Sequence, residues 1–167
     1  MASRPASRSA PTSAVESRAQ AADVALQEVA AAAVGLMRTL IAARDVEIVE
    51  RYADRPALVH GDAARLRLLL VSLLLNAFRG LPAGGTVAVE VSREGSEAVA
   101  AVCDDGTGFA PGEAEDAFEL FHTTRGGSGL GLPVARGIAE GHGGTLTVEP
   151  QAASGARVVL RLPEAVR

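Results

Sequence analysis

Between Glu97 and Asp104 the chain has no charged side chain at all: Ala98–Cys103 reads AVAAVC. A strand with one face in water alternates apolar with polar residues. A run that is apolar at every position therefore predicts a strand buried on both faces, in the middle of a sheet. The stretch before it, Thr86–Ser92, does alternate and sets Val87, Val89 and Val91 on one side. Glu94–Ser96 supplies the turn between the two strands. Upstream, Asp62 stands where an N-cap belongs, ahead of a helix whose Leu66, Leu69, Leu70, Leu73, Leu74 and Ala77 share one face. Within Ala21–Arg44, Leu26, Val29, Ala33, Leu36 and Leu40 recur at spacings of three and four. They predict an amphipathic helix packed on its own domain, since the seam is too short for a sustained coiled coil.

The remaining segments complete the layer. Val46–Tyr52 and Ala57–His60 read as short strands about a turn at Asp54–Pro56, and Leu81–Gly85 is a turn. Pro133, at a first helical position, opens a helix to about Glu140. Thr145–Glu149 and Arg157–Leu162 are the last strands. The order α-β-β-α-β-β-loop-α-β-β predicts an α/β (α+β) two-layer sandwich, with helices on one face of a mixed, mostly antiparallel sheet. Residues 1–20, rich in Ser, Ala, Arg and Pro without periodicity, read as a disordered linker or a leftover of cloning, so the domain is residues 21–167.

Composition narrows the function. With aromatic residues at 3% and no Trp, the core must be built from Leu, Val, Ile and Ala. A formal net charge of -4 speaks against a nucleic-acid binder, which needs a basic face. The single cysteine, Cys103, allows no internal disulfide and no cysteine-based zinc site, and its apolar strand suggests a buried structural thiol. No apolar run is long enough to cross a bilayer, and no signal-like core follows the N-terminal arginines. The expected setting is the cytoplasm, without direct membrane contact, whether or not a parent protein is anchored.

Three stretches carry chemistry. In SLLLNAFRG, the amide of Asn76 lies at the edge of a leucine face; its carbonyl suits Mg²⁺, a hard cation that prefers oxygen, and Arg79 three positions on could reach a phosphate. In CDDGTGFA, a buried strand ends at Asp104, whose carboxylate could accept from an adenine amino group while Gly106 and Gly108 let the backbone pass close to the base. In FELFHTTRGGSGLGL, apolar anchors at Phe118 and Phe121 precede four glycines within six residues and then a helix. Exposed N–H groups at such a helix start form an anion site, though the spacing is neither Walker A nor the Rossmann fingerprint. The acidic run Glu113–Asp116 suits a solvated helix start better than a metal site.

Together these stretches resemble the catalytic ATP-binding domain of sensor histidine kinases, a branch of the superfamily shared with DNA gyrase and MutL, over about Ala21–Pro163. Asn76, Ala77 and Arg79 are similar to the family's N box and Asp104–Gly108 to its first glycine box. Phe118–Phe121 is similar to its F box and Gly127–Leu132 to its second glycine box. The turn His142–Thr145 and the closing Leu160–Pro163 also follow the pattern. The resemblance implies ATP held between the N-box helix and a lid. Asn76 would hold Mg²⁺, and Arg79 and Arg125 the phosphates. Asp104, Gly106, Gly108, Phe118, Thr123, Thr124, Gly127, Ser128, Gly129, Leu130, Gly131 and Leu132 would line the nucleotide. It implies a kinase whose partners are a dimerising histidine phosphoacceptor module and, through it, a response regulator, with the domain itself monomeric.

Three departures bear on activity. Ser72 stands where the gyrase branch carries a general-base Glu, which argues against a dedicated ATPase. Ala156 replaces a Thr often found after the glycine of the closing strand, so adenine affinity is expected to be modest. The phosphoacceptor motif is missing: His60 caps or faces solvent, His142 is structural, and His122 lies in the lid. The acceptor is therefore expected on a separate module. Two other readings stand beside this one, an anti-sigma-factor-type serine kinase and a nucleotide-binding interaction module without transfer.

Overall fold

A computed structural model describes residues 21–110, 112–119, 128–149, 151 and 154–166. Among the described residues, seven strands and four helices run in the order β1 (Ala22–Ala25), α1 (Leu26–Leu40), β2 (Glu47–Tyr52), β3 (Leu58–Gly61), α2 (Ala63–Gly80), β4 (Thr86–Glu94), β5 (Glu97–Asp104), α3 (Glu113–Asp116), α4 (Gly131–Gly141), β6 (Thr145–Glu149) and β7 (Arg157–Pro163). Five strands form one sheet in the order β2-β4-β5-β7-β6, and β1 pairs with β3 in a separate ribbon. Only β2 and β4 run parallel; the other pairs of the sheet are antiparallel.

The apolar run forms the middle strand, as expected. Ala98, Ala100 and Val102 of β5 face the helices together with Val87, Val89 and Val91 of β4 and Val158, Leu160 and Leu162 of β7. Against them pack Leu66, Leu69, Leu70, Leu73, Leu74 and Ala77 of α2, all buried, along with faces of α1 and α4. Burying each such leucine contributes about 2 kcal/mol, so the α2 face is the chief adhesive of the domain.

Two local expectations need correction. Ala22–Ala25 is a strand paired with β3, not the first turn of a helix, and α1 begins only where the Leu26 N–H meets the Ala57 carbonyl. On α1 the buried stripe is Leu26, Val29, Ala30, Ala33, Val34 and Met37, whereas Leu36 and Leu40 are 47% and 64% exposed. At 3.6 residues per turn Leu36 falls at the margin of that stripe, while Leu40 is the last residue of the helix, and both stay largely in solvent.

Asp62 caps α2, its carboxylate accepting from the Ala64 and Arg65 N–H groups at 2.9 and 3.2 Å. Its own N–H donates to His142 Nε2 at 3.1 Å, while His142 Nδ1 meets the Ile138 carbonyl at 2.7 Å. His142 thus ties the end of α4 to the start of α2, the structural part expected of it. His60 sits on the surface against Asp23. Asp62→Ala is expected to lower stability by about 1 kcal/mol in urea denaturation, since two N-terminal donors lose their acceptor.

The opposite sheet face carries no helix among the described residues. A small apolar strip of Val99, Ala101 and Val159 lies beneath a chain of charges. Arg51 meets Glu90 at 3.0 Å, Glu90 meets Arg157 at 2.7 Å, Arg157 meets Glu149 at 3.3 Å, and Glu149 meets Arg161 at 2.9 Å. The hydrogen bond from Arg157 holds the Glu90 carboxyl below its ordinary range. At the edge of the helical face, Arg38 of α1 pairs with Glu50, and Glu50 accepts from the Tyr52 hydroxyl at 2.7 Å. Burial, helped by that carboxylate, pushes the phenol well above its usual value.

Candidate nucleotide site

Asp104 ends the central strand in the register of Ala98, Ala100 and Val102, so its side chain falls on the helical face of the sheet. It is 5% exposed. Burying a carboxylate is costly unless hydrogen bonds replace its water, and backbone donors do so here. Its Oδ1 accepts from the Gly106 N–H at 2.9 Å and from the Ala156 N–H at 3.3 Å. The Asp104 N–H in turn donates to the Ala156 carbonyl at 2.9 Å, and Gln151 donates to the Asp104 carbonyl at 3.3 Å. The carboxylate is thus fixed by two chain segments far apart in sequence, the loop after β5 and the start of β7.

That loop is pressed onto the end of α2. The Thr107 N–H donates to the Gly80 carbonyl at 3.2 Å, and any Cβ at Gly106 would run into that same oxygen. On the other side, Gly108 lies with its backbone against the Gly155 carbonyl. Gly155 itself has φ +110°, and a Cβ there would collide with the Asp104 carbonyl oxygen. Asp105 holds the strand start, accepting from the Thr86 N–H at 2.9 Å. Two hollows flank the loop and meet at Thr107. One of about 530 Å³ is bounded by Arg79, Pro82 and Asp105; one of about 470 Å³ is bounded by Phe109, Gln151 and Ala156.

Asn76 lies one turn before Gly80 on α2, half-buried at the edge of the leucine face, and Arg79 is exposed on the last turn. Ser72, a turn earlier, donates its hydroxyl to the Leu68 carbonyl at 3.0 Å, the usual habit of a helical serine. Ser128, Gly129 and Leu130 lead into α4, which packs directly on α2. The helix begins at Gly131, and Pro133 falls within its first turn, where a missing N–H is no loss. Leu132 is buried, whereas Leu130 remains partly in solvent. Phe118 packs on the core, and the Arg136 guanidinium of α4 sits 5.3 Å from its ring centroid.

The structure therefore brings Asp104, Gly106 and Gly108 together with the end of α2 that bears Arg79, one turn beyond Asn76. Ser128 through Leu132 form the approach to α4. Thr123, Thr124, Arg125 and Gly127 lie outside the described residues, as do Phe121 and His122. The sequence points to the side chain of Ala156 alone, yet Gly155, Gln151 and the Ala156 backbone N–H also stand against Asp104. The signal was present in the Gly-Ala pair opening β7, but its meaning depends on a contact across half the chain. Ala156 lacks a hydroxyl but still supplies its backbone N–H.

Residues 61–166 match the family described as histidine kinase-, DNA gyrase B-, and HSP90-like ATPase. The chain belongs to this family. The sensor histidine kinase ZraS of Salmonella typhimurium is 36% identical over 129 residues, 75% of this chain and 28% of that protein. The chain spans about a quarter to a third of the length of such curated relatives. Among solved structures, the mycobacterial sensor histidine kinase MprB superposes with a TM-score of 0.79 at 29% identity, covering 89% of this chain and all of that one. Full-length ShkA in complex with AMPPNP gives a TM-score of 0.79 at 27% identity, covering 89% of this chain and 32% of that one. Within the family, the fold is that of histidine kinase catalytic domains, a mixed sheet with helices on one face. Cys103 is half-buried, with the Arg157 guanidinium 3.0 Å from its sulfur, and burial pushes its thiol up.

Proposed function

We propose that the chain binds Mg-ATP and donates its γ-phosphoryl group to a histidine on a separate dimerisation module, from which a response regulator takes it. The observation that carries this reading is the buried Asp104 carboxylate, held by two backbone N–H groups where α2, β5 and β7 meet. A fixed acceptor in a shielded place selects a donor-bearing base edge. It accepts from the adenine amino group and repels the carbonyl that guanine presents at that position.

The residues present fit the rest of the ligand. Close backbone passage at Gly106 leaves no side chain to obstruct a base, and the N–H groups that open α4 are oriented for an anion. Asn76 would hold Mg²⁺ through its carbonyl, with phosphate and water oxygens as the other ligands, and Arg79 would meet a phosphate. Bound there, the metal would neutralise charge on the phosphates. Transfer of this kind needs positioning and charge neutralisation more than covalent work by the protein. Ser72, turned to its own helix, offers no base to activate water, which favours transfer over hydrolysis. A contact from Arg125 to a phosphate, and Thr123 and Thr124 lining the nucleotide, remain part of this reading, as does a monomeric domain acting in the cytoplasm. Among the described residues, no helix is long and apolar enough to cross a membrane.

The test is incubation with γ-labelled ATP and a histidine-bearing dimerisation module. Acid-labile label on the module is expected, and Asn76→Ala should reduce transfer by roughly 100-fold, the scale of a lost transition-state contact, while removing the Mg²⁺ dependence of ADP binding. Acid-stable label would indicate a serine kinase. Nucleotide binding without transfer to any module would leave the domain as an interaction module.

A further inference from the structure

The Arg157 guanidinium stands at the crossing of four strands. It reaches Glu90 on β4 at 2.7 Å, the Cys103 sulfur on β5 at 3.0 Å and Glu149 on β6 at 3.3 Å, from its own place on β7. Cys103 and Arg157 are register partners. One residue further along each strand stand Asp104 and Ala156, the carboxylate and its donor. Side chains alternate along a strand, so Arg157 works from the open face and Asp104 from the helical face of the same pair. Beyond Ala156 the chain leaves the sheet through Gly155 and the segment that precedes it.

We infer that Arg157 is a positioning residue for nucleotide binding, acting through the Ala156 amide. This rests on the reading of Asp104 as the base-recognising group. Ala156 closes the β7–β5 backbone ladder, taking the Asp104 N–H on its carbonyl at 2.9 Å. The Gly106 N–H lies 2.9 Å from the Asp104 carboxylate, whereas the Ala156 N–H lies 3.3 Å away. A donor at that distance is lost with little displacement. Arg157 is the neighbouring residue, and its contacts to β4, β5 and β6 hold the strand end against fraying. Two carboxylates and a sulfur engage one planar guanidinium, a geometry a lysine matches only in part. The Glu90 carboxylate raises the already high basicity of Arg157, which stays charged at every working pH.

Arg161 provides an internal control. It lies on the same strand and face and pairs with Glu149, Glu94 and Glu97, but at the far end from Asp104. ADP affinity with Mg²⁺ is read by calorimetry, and the Ala156 and Gly106 amide resonances by NMR. Arg157→Ala should weaken ADP binding about 5- to 10-fold and shift the Ala156 amide. Arg161→Ala, matched for loss of thermal stability, should leave affinity within twofold. Arg157→Lys should recover part of the affinity. Equal losses in the two alanine variants, or none in either, would overturn the inference. If Arg157→Ala does not fold, Glu90→Gln removes an anchor while keeping the arginine; unchanged affinity and an unshifted Ala156 amide in it would also overturn the inference. Asp104→Asn separates the two claims. Unchanged binding in that variant sinks the base-recognition reading itself, whatever Arg157 does.

Discussion

Asp104→Ala is expected to raise the dissociation constant for ADP by roughly 10- to 150-fold, corresponding to about 1.5–3 kcal/mol for a charge-assisted hydrogen bond. The effect is large because Asp104 is the one charged side chain buried among the described residues. Its position is set by the central strand and by two backbone donors, so it is presented in place without further ordering on binding. Alanine also leaves the Gly106 and Ala156 donors without their acceptor, so a drop in stability accompanies the loss of affinity. Asp104→Asn retains an acceptor oxygen but gives up the charge and introduces donors, and should narrow the preference for ADP over GDP. Calorimetric titration of both nucleotides with Mg²⁺ measures each effect. Parent-like affinity in both variants would remove Asp104 from the site.

Gly155→Ala should be the most damaging single methyl group in the fold. At φ +110° an alanine is strained, and its Cβ would strike the Asp104 carbonyl oxygen. The Cβ is fixed by the backbone and the oxygen belongs to it, so no rotamer change relieves the contact. The start of β7 or the end of β5 must move. A loss of about 3 kcal/mol in urea denaturation is expected, with ADP affinity falling alongside it as the Ala156 donor is pushed away. Gly95→Ala is the comparison. Gly95 has φ +62° in the β4–β5 turn with nothing near its missing Cβ, so it isolates the conformational cost, about 1–2 kcal/mol. Equal losses in the two variants would mean that the closing strand does not press on Asp104.

What could be read from sequence follows from how local each signal is. The central strand was legible because Ala98–Cys103 is apolar on both faces, and α2 because six of its residues repeat on one face behind a capping Asp62. Asp104 and Gly106 were legible because a strand end followed by glycines is a continuous stretch. β1 was not. Ala22–Ala25 lies in an alanine-rich stretch that favours helix intrinsically, and only its pairing with β3 makes it a strand. Leu36 and Leu40 share the seam by spacing alone, but one lies at the margin of the buried stripe and the other at the end of the helix, which spacing does not reveal. Ala156 is legible only as a missing hydroxyl after a glycine; the role of its backbone N–H, and of Gly155, is defined by a partner about fifty residues away, for which no short pattern exists. Ser72 donates to the Leu68 carbonyl, a bond within its own helix that a sequence pattern does not announce.

The strand order β5-β7-β6 also fixes a sequence of events. β7 is later in the chain than β6, yet it lies between β6 and the centre of the sheet. While the polypeptide emerges N-terminus first, β2, α2, β4 and β5 can assemble, but β6 has no edge to join until β7 slots in beside β5. The second donor to Asp104 arrives with that same strand. On the proposed reading of Asp104, the nucleotide pocket is therefore unfinished until the last strand of the chain is in place.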